Sequence, residues 1–286
     1  LDARYTMPGG PGGAPGPRKQ QCLRALIAPH IDLHRGGHSY AWGYRELAEC
    51  EPAELYVLLG TCHLPMSRPF AATARPYDTP FGPVRADPDF LERLASRAPF
   101  DLFAGELSHR GEHSLEFQAV YLRYLEHSGG EHPAAVVPIL CVPPTLAREG
   151  DTPGDDPRTA DFLDALRQTI SEDGRRVCFV AGADFAHVGP QFGDPALVDK
   201  RFAEHVRRGD MGMLEHVAAG DADGFYRQVT EERPGPGMAG DSRAVGGPRR
   251  ICGLAPMYAL LSLIGPSEGR VLHYDQWIDP RRTGSV

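Results

Sequence analysis

The chain has 286 residues, 41% of them hydrophobic, which is enough for one α/β domain with a buried core. Its formal net charge of −8 argues against a nucleic-acid partner, because phosphate binding requires a basic surface. No apolar run approaches the length of a membrane span, and six scattered cysteines without CxxC pairs indicate reduced thiols, so we expect a cytoplasmic protein.

Residues 1–20 are rich in Gly and Pro, which predicts a flexible arm ahead of a single domain over residues 21–286. Apolar runs predict buried strands at residues 23–28, 55–60, 135–141 and 177–181. Helices are predicted from about residues 39, 88, 112, 158, 197, 211, 221 and 255. Further predictions are an edge strand at 68–74, a strand at 271–274 and a polar loop at 231–250. This alternation predicts an α/β fold with a mostly parallel central sheet and helices on both faces.

Histidines follow three of the predicted buried strands. His30 comes after the first strand, His63 after the second and His187 after the fourth. Because the carboxyl ends of parallel strands lie along one edge of a sheet, these imidazoles can converge. One histidine in such a place is more often a capped or solvated loop residue, but three in the same topological position favour a site.

Cys252 directly precedes the predicted helix near residue 255. The helix dipole, together with Arg249 and Arg250, is expected to favour its thiolate. The alternative is a buried structural thiol, which is the commoner fate of a lone cysteine. Two histidines and one anionic ligand resemble the facial triad of non-haem Fe(II), with thiolate replacing carboxylate. A thiolate also suits Zn²⁺ or copper, so these residues leave the metal open.

Other polar residues are predicted near the same edge of the sheet. Asp184 and His187 are a candidate acid–base pair beside the metal. Candidates for a substrate pocket are His34, His38, Glu112, His113 and Tyr40. For Glu112 and His113 the alternative is a solvated helix start, where the dipole favours Glu regardless of function. The remaining histidines are interpreted as surface or packing residues: His109, His127, His132, His205, His216 and His273.

Five blocks of the sequence resemble the Memo family, also described as protein B of the AmmeMemoRadiSam system. In the family's order they are IAPH at 27–30, LGTCHLP at 59–65, EHSLE at 112–116, ADFAHVGPQF at 183–192 and ICGLAP at 251–256. The resemblance implies a fold shared with class III extradiol dioxygenases, which use a mononuclear non-haem iron. Carried over by position, the resemblance implies that the metal ligands are His30, His63 and Cys252. It also implies that His187 is the catalytic histidine and that Asp184 and Glu112 lie in the same cleft.

From the residues and the resemblance together, we expect a dioxygenase-like, iron-dependent oxidoreductase that uses O₂ and a small polar or phenolic substrate, free or peptide-linked. Fe(II) is the expected cofactor, with copper or zinc as alternatives. The alternative function is a non-catalytic metal-binding or phosphopeptide-binding adaptor of the Memo type. A hydrolase built on Cys252 is a weaker hypothesis, because the sequence lacks a nucleophile elbow. The resemblance also implies companion radical-SAM and AMMECR-type proteins.

Overall fold

The structure of the chain, a computed structural model, describes residues 1–127, 135–239 and 246–286. These residues form a five-stranded, mostly parallel sheet with helices packed on it, so the predicted α/β fold is confirmed. Within the same ranges, no helix combines the length and the apolar composition that crossing a bilayer requires.

Three strands that are neighbours in the sheet have their carboxyl ends at the same edge. In chain order the strands are β1 (Ala25–Ala28), β2 (Leu55–Thr61), β3 (Phe70–Ala72), β4 (Ala135–Cys141) and β5 (Val177–Gly182). Their order across the sheet is β1-β5-β2-β4-β3, and every neighbouring pair is parallel except β3 with β4. The carboxyl ends of β1, β5 and β2 therefore lie side by side.

Helices cover both faces of the sheet. In chain order they are α1 (Asp2–Thr6), α2 (Leu33–Ala48), α3 (Pro88–Arg97), α4 (Glu116–His127), α5 (Pro157–Asp173), α6 (Lys200–Ala219), α7 (Ala222–Thr230) and α8 (Leu254–Ile264). Successive side chains of β2 point to opposite faces. Leu55 and Val57 pack with residues of α3, α5 and α8, whereas Tyr56 and Leu58 pack with residues of α2 and α4.

Four predictions of secondary structure differ from the observed elements. Helix α2 begins at Leu33 rather than near Ser39, because the side chain of Asp32 accepts the backbone N–H groups of His34 and Arg35 and caps the helix there. The two helices predicted from residues 197 and 211 form the single helix α6. Residues 271–274 form no strand, and the helix predicted from residue 112 begins at Glu116.

The Gly/Pro-rich segment 1–20, predicted as a flexible arm, contains α1 and contacts the rest of the chain. Tyr5 is 1% exposed and stacks on Tyr124, and the Gly16 N–H donates to Glu49 at the end of α2. At the other predicted loop, 231–250, residues 240–245 lie outside the described residues.

Candidate metal centre

His30 lies just beyond β1 and is 2% exposed. Its Nδ1 is 3.0 Å from the carbonyl oxygen of Gly182 at the end of β5. When Nδ1 carries the proton and donates this bond, Nε2 keeps its lone pair for a ligand. The carboxylate of Asp184 accepts the backbone N–H groups of His30 and Ile31 at 2.8 and 3.1 Å. These contacts fix the loop after β1 against the loop after β5.

His63 lies just beyond β2, and its imidazole is bound by Glu112. The Nδ1 atom is 3.0 and 2.9 Å from the two carboxylate oxygens, and the His63 backbone N–H donates to one of them at 2.8 Å. The hydrogen bond to Glu112 raises the pKa of His63, although burial opposes this. Burial alone would raise the pKa of Glu112, but the hydrogen bonds from His63 and Ser114 lower it to about 2. The Nε2 atom of His63 remains available to an ion.

Cys252 lies immediately before the cap of α8, and its Sγ is 3.2 Å from Nε2 of His30. The hydroxyl of Thr61, at the end of β2, donates to the Cys252 carbonyl at 3.1 Å and places this turn beside the strand end. Burial, reinforced by the nearby Asp184 carboxylate, raises the pKa of the Cys252 thiol well above its usual value.

The expectation that neighbouring arginines stabilise a Cys252 thiolate is wrong. Arg249 forms ion pairs with Asp210 and Glu232, and Arg250 pairs with Asp194. Each guanidinium is therefore neutralised by carboxylates on other segments of the chain.

One ligand atom each from His30, His63 and Cys252 lies within 4.8 Å of the other two. The two imidazole rings are 5.2 Å apart between centroids and meet at 82°, edge to face. Two imidazole nitrogens and a sulfur are donors that Fe(II), Zn²⁺ and copper accept, whereas Mg²⁺ and Ca²⁺ prefer oxygen. Ligand distances to such ions are about 2.0–2.3 Å. The donor set therefore fits a transition metal ion.

Two further histidines interact with this centre, His113 through ring contacts and His187 through charge. The ring of His113 stacks on His63 at 5.1 Å and meets His30 edge to face at 5.4 Å, and burial lowers its pKa. The Nδ1 of His187 is 3.1 Å from the Phe185 carbonyl oxygen. Burial lowers the pKa of His187, while the charge of Asp184 raises it. His113 therefore supplies a titratable group in contact with His30 and His63, and His187 one that interacts electrostatically with His30 and Asp184.

Of the five predicted pocket residues, the structure brings Glu112 and His113 to the centre and places the other three elsewhere. His34 is exposed on the first turn of α2, and Nε2 of His38 lies 2.7 Å from Asp275. Tyr40 is fully buried, and its hydroxyl donates to the Ile31 carbonyl at 3.0 Å. Tyr40 thus packs beneath the loop that carries His30, and substrate contact by these residues stays a prediction.

The histidines interpreted as ordinary residues include one clear packing residue. His109 is buried, and its two ring nitrogens lie within hydrogen-bonding distance of Tyr77 and the Ala71 carbonyl. His132 and the side chain of His127 lie outside the described residues.

Sequence reasoning missed two glycines that allow the segment before α4, residues 112–114, to pack closely against the sheet. A Cβ atom on Gly182 would lie 2.2 Å from the Ser114 carbonyl oxygen, and one on Gly60 would lie 2.6 Å from the Ser114 hydroxyl. That hydroxyl donates to the Thr61 carbonyl at 2.7 Å. Because Glu112 lies two residues before Ser114, this close approach carries Glu112 to His63. The position of both glycines near strand ends was the available signal.

The fold and this centre define a class: an α/β protein with two imidazoles and one thiol gathered beyond its parallel strands. A family model described as Memo-like protein matches residues 12–285, so the chain belongs to the Memo-like protein family and the resemblance noted in its sequence is confirmed.

The chain is also similar to proteins described as MEMO1 family proteins. It is 31% identical to one from Thermus thermophilus, over 90% of this chain and 67% of the relative. It is 30% identical to one from Aquifex aeolicus over 62% of this chain and 42% of the relative, and 24% identical to one from Pyrococcus furiosus over 88% and 79%. These descriptions name a family and no activity.

Proposed function

We propose that the chain is a mononuclear non-haem iron oxidoreductase of the dioxygenase-like type, which uses O₂ and a small polar or phenolic substrate. The observation that carries this proposal is the convergence of His30, His63 and Cys252, whose ligand atoms lie within 4.8 Å of one another. Three protein ligands leave coordination positions free, as a redox site for non-haem iron requires. Fe(II) is the proposed cofactor, and copper or zinc would accept the same donors.

When bound, Fe(II) would supply one-electron redox chemistry toward dioxygen. The chain itself orients the ligands: the Gly182 carbonyl and the Glu112 carboxylate engage Nδ1 of His30 and His63, which would leave Nε2 of each ring to hold the ion. The negative charge of Glu112 also makes the His63 imidazole a more basic ligand.

His187 is the residue proposed to carry the substrate proton. With Nδ1 donating to the Phe185 carbonyl at 3.1 Å, Nε2 keeps a lone pair and can accept a proton. Burial lowers the pKa of His187 and so favours the neutral ring, while the Asp184 carboxylate favours the imidazolium after proton transfer. Asp184 acts as a positioning residue, because it fixes the backbone of His30 and Ile31.

The first prediction tests His187. The chain is loaded anaerobically with Fe(II), and O₂ uptake is measured with a panel of catechols, phenols and tyrosine peptides. Substituting His187→Gln should retain one iron per chain but slow O₂ uptake about 10²-fold or more, because general acid–base catalysis typically contributes 10²–10⁴-fold. Substituting the half-buried His216→Ala, which is not part of the centre, should leave both iron content and uptake unchanged.

Two results would contradict the oxidoreductase proposal. If His187→Gln consumes O₂ as fast as the parent chain, His187 is not the proton carrier. If the parent chain binds iron stoichiometrically but shows no turnover with any member of the panel, the adaptor function becomes the better explanation of the same ligands.

A further inference from the structure

A second cluster of metal-ligating side chains lies where the C-terminal segment crosses α2. His38 is on α2, and His273 and Asp275 are on the irregular segment that follows α8. One ligand atom from each lies within 4.8 Å of the other two. His38 Nε2 lies 2.7 Å from a carboxylate oxygen of Asp275. The two imidazoles meet edge to face with centroids 5.5 Å apart.

Within this cluster, one ring nitrogen of His273 has no hydrogen-bond partner among the described residues. Its Nε2 is buried and makes no hydrogen bond within the described part of the chain. A buried polar atom without a hydrogen-bond partner lowers the stability of the folded chain, so the arrangement favours a ligand that accepts the nitrogen lone pair.

The orientation of the His273 ring is fixed by Trp42. The imidazole and the indole stack nearly parallel, at 6° and with centroids 5.6 Å apart. The indole N–H of Trp42 in turn donates to the Gly9 carbonyl at 2.8 Å. A ring fixed by its surroundings loses little conformational freedom on coordination, and this preorganisation favours binding.

We propose that His38, His273 and Asp275 form a second metal site, for Zn²⁺ or a divalent ion of similar preference. Two imidazoles and one carboxylate with a fourth position free are a known donor set for zinc. All three residues line a cavity of about 900 Å³, which leaves room for water or a small ligand at that position. The ion joins the C-terminal segment to α2, because its ligands come from both.

The second prediction follows from counting ions. After equilibrium dialysis against micromolar Zn²⁺, the parent chain should bind one ion at this site in addition to any ion held by His30, His63 and Cys252. His273→Ala should lower the count by one. A His63→Ala/Cys252→Ser chain lacks two of the three ligands of the candidate metal centre. In this background one ion should remain bound, and adding His273→Ala should remove it. These counts separate this site from the centre described above, whatever the latter binds.

Two controls guard against loss of folding. Asp275→Asn alters a half-exposed side chain, with 51% of its surface accessible, and should weaken Zn²⁺ binding about tenfold or more without lowering the melting temperature of the metal-free chain. His216→Ala removes an imidazole that lies 2.9 Å from Asp221 in a comparable His–Asp pair, and should change nothing. Both tryptophans of the chain, Trp42 and Trp277, line the cavity, so Zn²⁺ should alter the intrinsic fluorescence only where the site is intact.

The proposal is overturned if the His63→Ala/Cys252→Ser chain is folded and binds no Zn²⁺. It is also overturned if folded His273→Ala and Asp275→Asn chains bind Zn²⁺ with the affinity and stoichiometry of their parent. Hydrogen exchange gives an independent measure, since Zn²⁺ should slow exchange of residues 271–275 in the parent chain and leave it unchanged in Asp275→Asn.

Discussion

At the scale of single residues, Glu112 places a negative charge beside the imidazole of the proposed metal ligand His63. Its carboxylate accepts hydrogen bonds from the His63 ring and backbone, and also from the backbone of His113 and Ser114. Such partners usually set both the orientation and the basicity of a ligating histidine.

The third prediction is that Glu112→Gln weakens Fe(II) or Zn²⁺ binding at the candidate metal centre by about 10–100-fold. Glutamine keeps the size of the side chain but removes the negative charge that strengthens His63 as a ligand. A metal titration in the His273→Ala background measures this site alone.

Glu116→Gln is the matched control for this prediction, because Glu116 is exposed four residues further along. It should bind the ion as the parent chain does. Equal affinities for Glu112→Gln and the parent would show that the carboxylate does not support the ligand.

The sequence was sufficient to predict His30 and His63 as neighbours, because both follow parallel strands whose carboxyl ends share one edge of the sheet. Cys252, which precedes α8, was added as a ligand by the chemistry of its thiol and by the family resemblance. The sequence was insufficient for Arg249 and Arg250. Sequence proximity placed their charges beside Cys252, but their carboxylate partners lie 17 to 56 positions away along the chain. Long, flexible side chains pair according to tertiary structure, which no local pattern records.

At the scale of secondary-structure elements, the last residue of β5 determines how closely the segment before α4 approaches the sheet. Gly182 has no side chain where Ser114 passes, and its carbonyl oxygen lies 3.0 Å from Nδ1 of His30. Packing distance and ligand orientation therefore depend on the same residue.

The fourth prediction is that Gly182→Ala lowers the free energy of unfolding by about 1–3 kcal/mol, the usual cost of overpacking a core. The added methyl would lie 2.2 Å from a backbone oxygen, so the segment at Ser114 must move away. Metal affinity should fall as well, because His30 loses its fixed orientation. Urea unfolding and a metal titration measure the two effects.

Gly13→Ala is the control, because a Cβ atom there would have no neighbour within 4 Å. Both quantities should stay at the parent values. A Gly182→Ala chain with unchanged stability and affinity would contradict the close approach described for β5.

The apolar strands were predictable because each is a short hydrophobic run, but the helices were less so. Two glycines made residues 209–212 resemble a break, yet α6 continues through them. A Cβ on Gly209 would lie 2.8 Å from the guanidinium of Arg249, so this glycine is explained by a tertiary contact and not by a helix end.

At the scale of the whole molecule, Arg249 joins segments that are distant in the chain. It is 0% exposed and pairs with Asp210 on α6 and with Glu232 beyond α7, and Asp210 also accepts the hydroxyl of Tyr274 from the C-terminal segment at 2.7 Å. The Arg249 carbonyl accepts the backbone N–H of His187 at 2.7 Å. The ion-pair cluster therefore connects the helical layer to the loop of the proposed proton carrier.

The fifth prediction is that Arg249→Met lowers the free energy of unfolding by about 3–5 kcal/mol, because it leaves the buried Asp210 carboxylate without its partner. Adding Asp210→Asn should restore at least half of the loss, since the uncompensated charge is then gone. Chemical denaturation of the two variants and the parent measures this.

Arg167→Met is the control, because Arg167 pairs with Asp164 at the surface and such pairs contribute about 0–1 kcal/mol. If Arg249→Met proved no more destabilising than Arg167→Met, the buried pair would not be a significant source of stability.

The proposed ligands of the candidate metal centre are far apart along the chain, and this has a consequence for biosynthesis. Cys252 follows His30 by 222 positions, so a ribosome has made most of the described sequence before the thiol exists. An emerging polypeptide can offer two imidazoles but not the complete set of donors. Binding of the proposed metal ion is therefore expected only after translation has passed residue 252 and α8 has docked, so the ion would have to be delivered to a chain that already carries all three donors.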